Sequence, residues 1–459
     1  MSVPSQTAQN PAAAAADAVP RPALSVFDAV MITVGIVIGA GIFKTPSMVA
    51  GVTGSVDWML IAWVLGGVLS LVGALCYAEL ASTFPNAGGD YHFLTRAYGR
   101  DASFFFAWAR VAVITTGSIA LLAFVFGDYM SRVYSLGTHS SAIYAALTVV
   151  VLSVINLIGL RESSRTQNVL TLLEVSGLLL VAVAGLMAPA PAASAAAAAP
   201  AGAGVPAMFG LAMVFVLLTY GGWNEAAYIS AEVKGGPRAI VRALVLSLVV
   251  ITVVYVIFVL CVLKGLGFAG MAKSNAVGAD VMQAAFGAGG AQLIGVIVGI
   301  ATLTSINATM IVGARTNYAL GRDWPVLAFM SRWHGGKNVP IVAFLVQAVI
   351  ALALIAFGAV QKDGFSAMVE FTAPVFWFFF LLTGIALFVL RFRAPHVARP
   401  FKVPLYPILP LVFVLTCAYL LWSSITYAQS QDAVHVALGV MGVGALAWIV
   451  MRFVAGRRP

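Results

Sequence analysis

Residues 35–43 read GIVIGAGIF, and residues 217–225 read LLTYGGWNE. Each stretch places paired small residues in the middle of a long apolar run. Glycine costs roughly 1 kcal/mol in a helix interior and permits backbone that other residues do not adopt. Small residues also let membrane helices pack closely, so either stretch alone fits a packing role. Together, the two stretches predict helices that are interrupted at mid-membrane.

The composition around these stretches is that of a membrane protein. Of the 459 residues, 61% are hydrophobic and 9% are charged, whereas a soluble domain carries about 25% charged residues. The apolar runs are continuous rather than alternating, which disfavours a β-barrel. Since a spanning helix needs about 20 apolar residues, we predict an all-α polytopic protein with about twelve transmembrane helices, at 25–51, 57–84, 103–131, 141–160, 167–188, 206–233, 239–264, 290–320, 339–359, 365–391, 406–428 and 434–454.

The net charge of +9 reflects membrane topology rather than nucleic-acid binding. With the amino terminus inside, 19 of the 25 lysine and arginine residues fall in predicted inner loops and tails. This bias follows the positive-inside rule and predicts that both termini are cytoplasmic. The predicted outer side holds only Lys44, Arg132, Lys264, Lys273 and Lys362.

The two interrupted stretches lie in predicted spans one and six. Interrupted helices at matching positions of two halves are typical of transporters built from inverted repeats. We therefore predict a first five-helix repeat at 25–188, a second at 206–392, and two additional helices with a tail at 393–459. Residues 1–24 are predicted to form a disordered cytoplasmic tail, and 189–205 an Ala/Pro-rich extracytoplasmic loop. A short amphipathic helix is expected near Val277–Phe286 on the outer surface.

The chemistry of an interrupted helix suits a zwitterion. Unwinding leaves amide and carbonyl groups without partners, and within lipid these groups must be satisfied. A carboxylate can take the amides and an ammonium the carbonyls, so an α-amino acid fits without any charged side chain. The chain contains no zinc-protease or phosphate-loop motif. We accordingly predict no enzyme activity, no cofactor and no metal, and the lipid bilayer and an amino acid as partners.

Four motifs resemble the amino acid–polyamine–organocation (APC) superfamily of permeases. They are GAGIF at 39–43, YAEL at 77–80 with PNAGGDY at 85–91, YGGWN at 220–224 and ALGRD at 319–323. The third motif is most similar to the L-type amino acid transporter branch. The resemblance implies the LeuT-like fold, with five plus five inverted helices and two extra ones. It also implies secondary active amino-acid transport by alternating access in the plasma (inner) membrane.

The resemblance also implies a substrate site, residue by residue. The amides of Ala40, Gly41 and Ile42 would bind the substrate carboxylate. The carbonyls of Val37, Leu218 and Gly221 would bind its ammonium. Leu218 falls where relatives often carry a bulky aromatic lid, and Asn224 matches a polar position of the sixth helix. The predicted site comprises Val37, Gly39, Ala40, Gly41, Ile42, Leu218, Gly221, Gly222 and Asn224.

Carboxylates within apolar runs are the candidates for coupling, because charges in a bilayer are costly and usually functional. Glu174 falls where relatives often carry a lysine that points at the broken first helix. Glu174 could carry a proton, or could help Thr302, Thr304 and Ser305 hold sodium.

Two further glutamates have other expected roles. Glu225 could sense a cationic substrate, in which case a polyamine is an alternative to an amino acid, or it could be a buried partner of another group. Glu79 is expected to form a structural ion pair near the Arg96 loop.

Overall fold

Apolar runs form helices throughout the part of the chain that the structure describes. The computed structural model describes residues 25–84, 89–158, 164–189, 205–224, 234–332, 339–426 and 431–455. The predicted tail 1–24, residues 190–204 of the predicted loop and Glu225 lie outside these ranges. The α-helices are α1 Val26–Val37, α2 Thr45–Thr53, α3 Val56–Thr83, α4 Asp90–Tyr98, α5 Arg100–Ala109, α6 Thr115–Val133, α7 Ser140–Ile158, α8 Ser164–Met187, α9 Val205–Thr219, α10 Gly236–Lys273, α11 Val277–Asp323, α12 Ile341–Ala359, α13 Gly364–Arg393, α14 Ile408–Thr426 and α15 Gln431–Ala455.

The helices confirm an all-α polytopic membrane protein. Within the described ranges, nine helices are long and apolar enough to cross a bilayer. They account for predicted spans two to four and seven to twelve. Spans five and six contain the shorter apolar helices Leu172–Met187 and Phe209–Thr219, and span one is divided between α1 and α2. Twelve spans with both termini inside therefore remain a prediction.

The third span occupies the centre of the bundle. It runs from Arg100 to Val133 and includes a π-helical turn at Arg110–Ile114 between α5 and α6. Helix α6 packs against α7, α11, α12 and α13. Glycine permits the close approach to α7, because a Cβ at Gly127 would lie 2.1 Å from the carbonyl oxygen of Ser141. Small residues bring backbones together in this way where lipid provides no hydrophobic driving force.

Two glycines bend the long helices α10 and α11. Gly267 has φ 66° and Gly287 has φ 71°, values that side-chain-bearing residues rarely adopt. The bend at Gly287 delimits the short helix that the sequence predicts at Val277–Phe286. This helix does not simply lie on the surface, since Val281 is buried and the Gly278 amide donates to the Tyr129 hydroxyl. It packs into the bundle because its apolar face meets α6.

Glu79 forms an ion pair, but with partners that differ from the predicted ones. Its carboxylate accepts hydrogen bonds from Nε and Nη2 of Arg391, at 2.7 and 2.5 Å, and from the amide of Val403 at 2.7 Å. Arg399 lies 3.6 Å away. Arg96 instead stacks on the Phe84 ring at 4.5 Å. The predicted structural ion pair is therefore confirmed, and Arg391 of α13 and Arg399 form it rather than the Arg96 loop.

Lys44 is buried, although charge counting places it with the lysine and arginine residues of the outer side. Its side chain is 1% exposed, and Nζ lies 2.8 Å from Asp128 and 3.2 Å from Asp363. Lys44 sits just before α2, inside the predicted first span 25–51. We call Lys44, Asp128 and Asp363 the lysine cluster. It joins the start of α2 to α6 and to the amino-terminal end of α13.

Candidate functional site

The first span is interrupted where the sequence predicts. Helix α1 ends at Val37, Gly39 is extended with φ −101° and ψ −176°, and a 3₁₀ turn covers Ala40–Phe43 before α2 begins. The Lys44 amide donates to the carbonyl of Gly41 at 3.0 Å. The interruption follows from local composition, because glycine at 39 and 41 loses more backbone freedom in a helix than other residues and so destabilises a continuous helix.

The helix of the sixth span also ends inside the span, which we call the second interruption, and residues 225–233 of the predicted span lie outside the described ranges. Helix α9 ends at Thr219, and the chain turns through Gly222 with φ 107°. The Gly221 amide donates to the carbonyl of Leu218 at 3.1 Å. Asn224 is buried, while Leu218 is half-buried. The positive φ explains why glycine stands at 222, as other residues adopt this backbone at a cost.

The two interruptions face each other. The Thr219 hydroxyl on α9 lies 2.7 Å from that of Thr45 on α2. A Cβ at Gly41 would lie 3.7 Å from Cγ2 of Thr219, which is ordinary contact, so the Gly41 backbone approaches α9 directly. A Cβ at Gly39 would have no described neighbour within 4 Å. The structure thus brings Gly41 of span one beside the end of α9, while a Cβ at Gly39 would meet none of the described atoms.

The other predicted site residues fall on these same segments. Ala40 and Ile42 lie in the 3₁₀ turn, and the Ile42 side chain is fully buried. The predicted amides and carbonyls therefore lie at two adjoining backbone interruptions.

One residue at the interruptions is absent from the sequence predictions. The hydroxyl of Tyr255, on α10, donates to the carbonyl of Val37 at 2.8 Å and lies 3.3 Å from the carbonyl of Thr219. Val37 also accepts from the Gly39 amide at 2.8 Å. The only sequence signal for Tyr255 is a hydroxyl-bearing residue within a run of aliphatic ones, which also fits ordinary core packing.

Tyr255 is fixed in place by other aromatic rings. It packs edge-to-face against Trp63 and Tyr220, at centroid distances of 5.8 and 5.0 Å. The Tyr220 hydroxyl donates to the carbonyl of Trp63 at 3.0 Å. Such packing restricts the ring, so the Tyr255 hydroxyl has few positions open to it.

Glu174 is buried on α8. Its side chain is 4% exposed, and Oε1 has no hydrogen-bond partner among the residues that the structure describes. Of the predicted sodium ligands, Thr302 and Thr304 donate their hydroxyl protons to carbonyls one turn earlier on α11.

No cluster of three or more His, Cys, Asp or Glu side chains suited to a metal ion occurs within the described ranges. The three cysteines, Cys76, Cys261 and Cys417, are buried and unpaired. Buried, unpaired cysteines behave as small apolar residues in a core.

An all-helical apolar bundle with two interrupted helices meeting inside it defines a class of proteins, the polytopic membrane transporters. Comparison with known proteins gives the family. The profile of the amino acid permease family matches residues 24–446, and the chain belongs to this family. Its members are transporters, so the chain is a membrane transporter and not an enzyme.

The relatives are amino-acid transporters. The rat b(0,+)-type amino acid transporter 1 is 25% identical over 422 residues, which is 90% of this chain and 84% of the relative. The serine/threonine exchanger SteT of Bacillus subtilis (strain 168) is 27% identical over 420 residues, or 90% and 94% of the two chains. The human cystine/glutamate transporter is 26% identical over 422 residues, or 91% and 83%. The predicted resemblance to amino-acid permeases is confirmed.

Proposed function

We propose that the protein is a secondary active transporter of α-amino acids that works by alternating access in the plasma (inner) membrane. The observation that supports this proposal is that the two interruptions lie against each other. Gly41 approaches Thr219 there, and a Cβ at Gly39 would have no described neighbour within 4 Å. Main-chain groups at that junction can bind both ends of a zwitterion. The names of the relatives support an amino acid as the substrate.

In the proposed site, the substrate carboxylate binds the amides of Ala40, Gly41 and Ile42. These amides begin the outer half of span one, where the helix dipole favours an anion. The ammonium binds carbonyls at the ends of α1 and α9, where the dipole favours a cation. Leu218 caps the substrate side chain, and Asn224 ties the substrate to the sixth span. Access then alternates as the helices on either side of the site rock relative to each other.

Counterflow in proteoliposomes tests this function. Vesicles preloaded with an unlabelled amino acid are diluted into a trace of the labelled one, and we expect transient accumulation of the label. A carrier produces this overshoot because its loaded site returns across the membrane, whereas a channel does not. Protein-free vesicles are the control. Accumulation of a polyamine, with none of the twenty amino acids, would contradict the proposal.

We further propose that Glu174 couples transport to protons. It is a carboxyl group buried within the bundle, and its Oε1 has no hydrogen-bond partner among the described residues. Desolvation disfavours a buried charge, so a cycle that exposes Glu174 to water first on one side of the membrane and then on the other can load a proton on the first side and release it on the second. The SteT relative is a serine/threonine exchanger, which favours amino-acid exchange as the second candidate mechanism.

A glutamine at 174 separates proton coupling from exchange. Glu174→Gln mimics the permanently protonated acid, so we expect counterflow to continue while accumulation driven by an inward proton gradient falls about tenfold or more. Uptake is measured in sodium-free choline medium, with and without the gradient. Glu174→Asp, which keeps a titratable acid, is the matched control and is expected to retain gradient-driven uptake. Gradient-driven accumulation by the glutamine variant at the normal level, or a strict need for sodium in the unmodified protein, would refute the proton role.

A further inference from the structure

Two threonine hydroxyls join the second half of span one to the helix of span six. Thr45 is the first residue of α2 and Thr219 the last of α9, and their Oγ1 atoms lie 2.7 Å apart. Both side chains are buried, with exposed fractions of 1% and 7%. Helix α2 packs along α9, so this hydrogen bond lies inside the contact between the two helices. A hydrogen bond in such a low-dielectric setting is stronger than one in water.

A neighbouring carbonyl fixes which hydroxyl donates. Oγ1 of Thr219 also lies 2.8 Å from the carbonyl oxygen of Phe215, one turn earlier on α9. A carbonyl can only accept and a hydroxyl carries one proton, so Thr219 donates to Phe215 and Thr45 donates to Thr219. The bond between the helices is therefore the donation from Thr45. When that donation is lost, Thr219 keeps its own bond within α9.

The hydroxyl pair adjoins both sets of groups that the proposed site uses. Thr45 closely follows the turn Ala40–Phe43, whose amides are proposed to bind the substrate carboxylate. Thr219 follows Leu218, whose carbonyl is proposed to bind the ammonium. A bound amino acid therefore bridges the same two segments that the hydroxyls already connect. If these segments were free to separate, binding would first have to bring them together, and ordering of this kind reduces affinity.

We infer that Thr45 and Thr219 are positioning residues whose hydrogen bond holds the two interruptions together before an amino acid binds. This inference rests on the proposed function. The pair acts through the backbone, because it fixes the start of α2 against the end of α9 and so sets the turn amides opposite the Leu218 carbonyl. Each hydroxyl is effective only with the other, so the two residues act as one unit.

Removing the Thr45 hydroxyl should weaken amino-acid binding. Thr45→Val keeps the shape of the side chain and leaves Thr219 bonded to Phe215, so the link between the helices is what is lost. We expect the Kd of the preferred amino acid to rise about fivefold, the equivalent of about 1 kcal/mol. The ligand is chosen by thermal shift against the twenty amino acids, and Kd is then measured by titration. Thr45→Ser keeps the hydroxyl and should restore Kd to within about twofold of the unmodified protein.

The double variant Thr45→Val/Thr219→Val tests whether the two residues act as one unit. Two residues that serve one bond have non-additive effects, so the double variant should bind within about twofold of Thr45→Val. Thr53→Val is the matched control, because Thr53 lies on the same helix and its hydroxyl donates to the carbonyl of Val49, one turn earlier on α2. Its Kd should stay at the unmodified value.

Four results would overturn the inference alone. They are an unchanged or lower Kd in Thr45→Val, an equal loss of affinity in Thr53→Val, a loss that persists in Thr45→Ser, and losses that add in the double variant. Size-exclusion profiles establish that each variant is folded before its Kd is compared. If the unmodified protein binds no amino acid, the proposed function fails and this inference fails with it.

Discussion

Replacing Gly41 with leucine is expected to lower amino-acid uptake at least about 100-fold. A Cβ at this position would lie 3.7 Å from Cγ2 and 3.8 Å from Oγ1 of Thr219, so the outer atoms of leucine must enter the junction between the interruptions. The carboxylate can then no longer approach the Gly41 amide, and displacements of about 1 Å at such sites can cost about 100-fold. Uptake by proteoliposomes, normalised to inserted protein, measures the effect.

Gly41→Ala is the matched control for this substitution. Its single Cβ makes ordinary van der Waals contact with Thr219, so it should fold and retain most of the transport. Size-exclusion profiles of both variants establish that each is folded. Normal uptake by a well-folded leucine variant would contradict the placement of the site at Gly41.

Replacing Lys44 with methionine is expected to destabilise the protein by about 3 kcal/mol. Removing one partner from a buried ion pair typically costs about 3–5 kcal/mol, because the remaining charge is left without compensation. The carboxylates of Asp128 and Asp363 are 17% and 29% exposed, so water relieves part of this cost and the lower end applies. Denaturant unfolding of the purified protein, followed by tryptophan fluorescence, measures the free energy of unfolding.

Two further variants serve as controls for the Lys44→Met measurement. Lys264→Met removes an exposed lysine that donates to the carbonyl of Leu186, and a surface change of this kind is expected to stay within about 0.5 kcal/mol. Adding Asp128→Asn and Asp363→Asn to Lys44→Met removes the uncompensated charges and should restore most of the stability. A Lys44→Met protein as stable as the unmodified one would show that the lysine cluster contributes nothing to folding.

The all-helical fold and both interruptions were predictable from sequence because their causes are local. Continuous apolar runs require helices within a bilayer, and glycines at 39 and 41 weaken one helix at a known position. The same local logic predicts the bend-bounded helix Val277–Phe286. Its packing into the bundle was not predictable, because it depends on the Tyr129 hydroxyl of another span.

Partners distant along the chain account for the predictions that differ from the structure. Glu79 and Arg391 are 312 residues apart, and Lys44 and Asp128 are 84 apart. Charge counting assigns Lys44 to the outer side because it uses only the position of each residue along its predicted span. Charge counting does not show that two carboxylates, Asp128 of α6 and Asp363 just before α13, lie against the buried Lys44.

The sequence by itself determined the class of protein, the positions of the interrupted helices and the kind of ligand their backbone suits. Each of these depends on hydrophobicity, glycine content and unpaired main-chain groups along one segment. Only the tertiary structure decided which of those groups are free. Tyr255 is 218 residues from Val37, yet its hydroxyl occupies the carbonyl that the sequence assigns to the substrate. Hydrogen-bond acceptors are filled by whichever donor the packing brings within about 3 Å, and that distance is set by how the helices fold together.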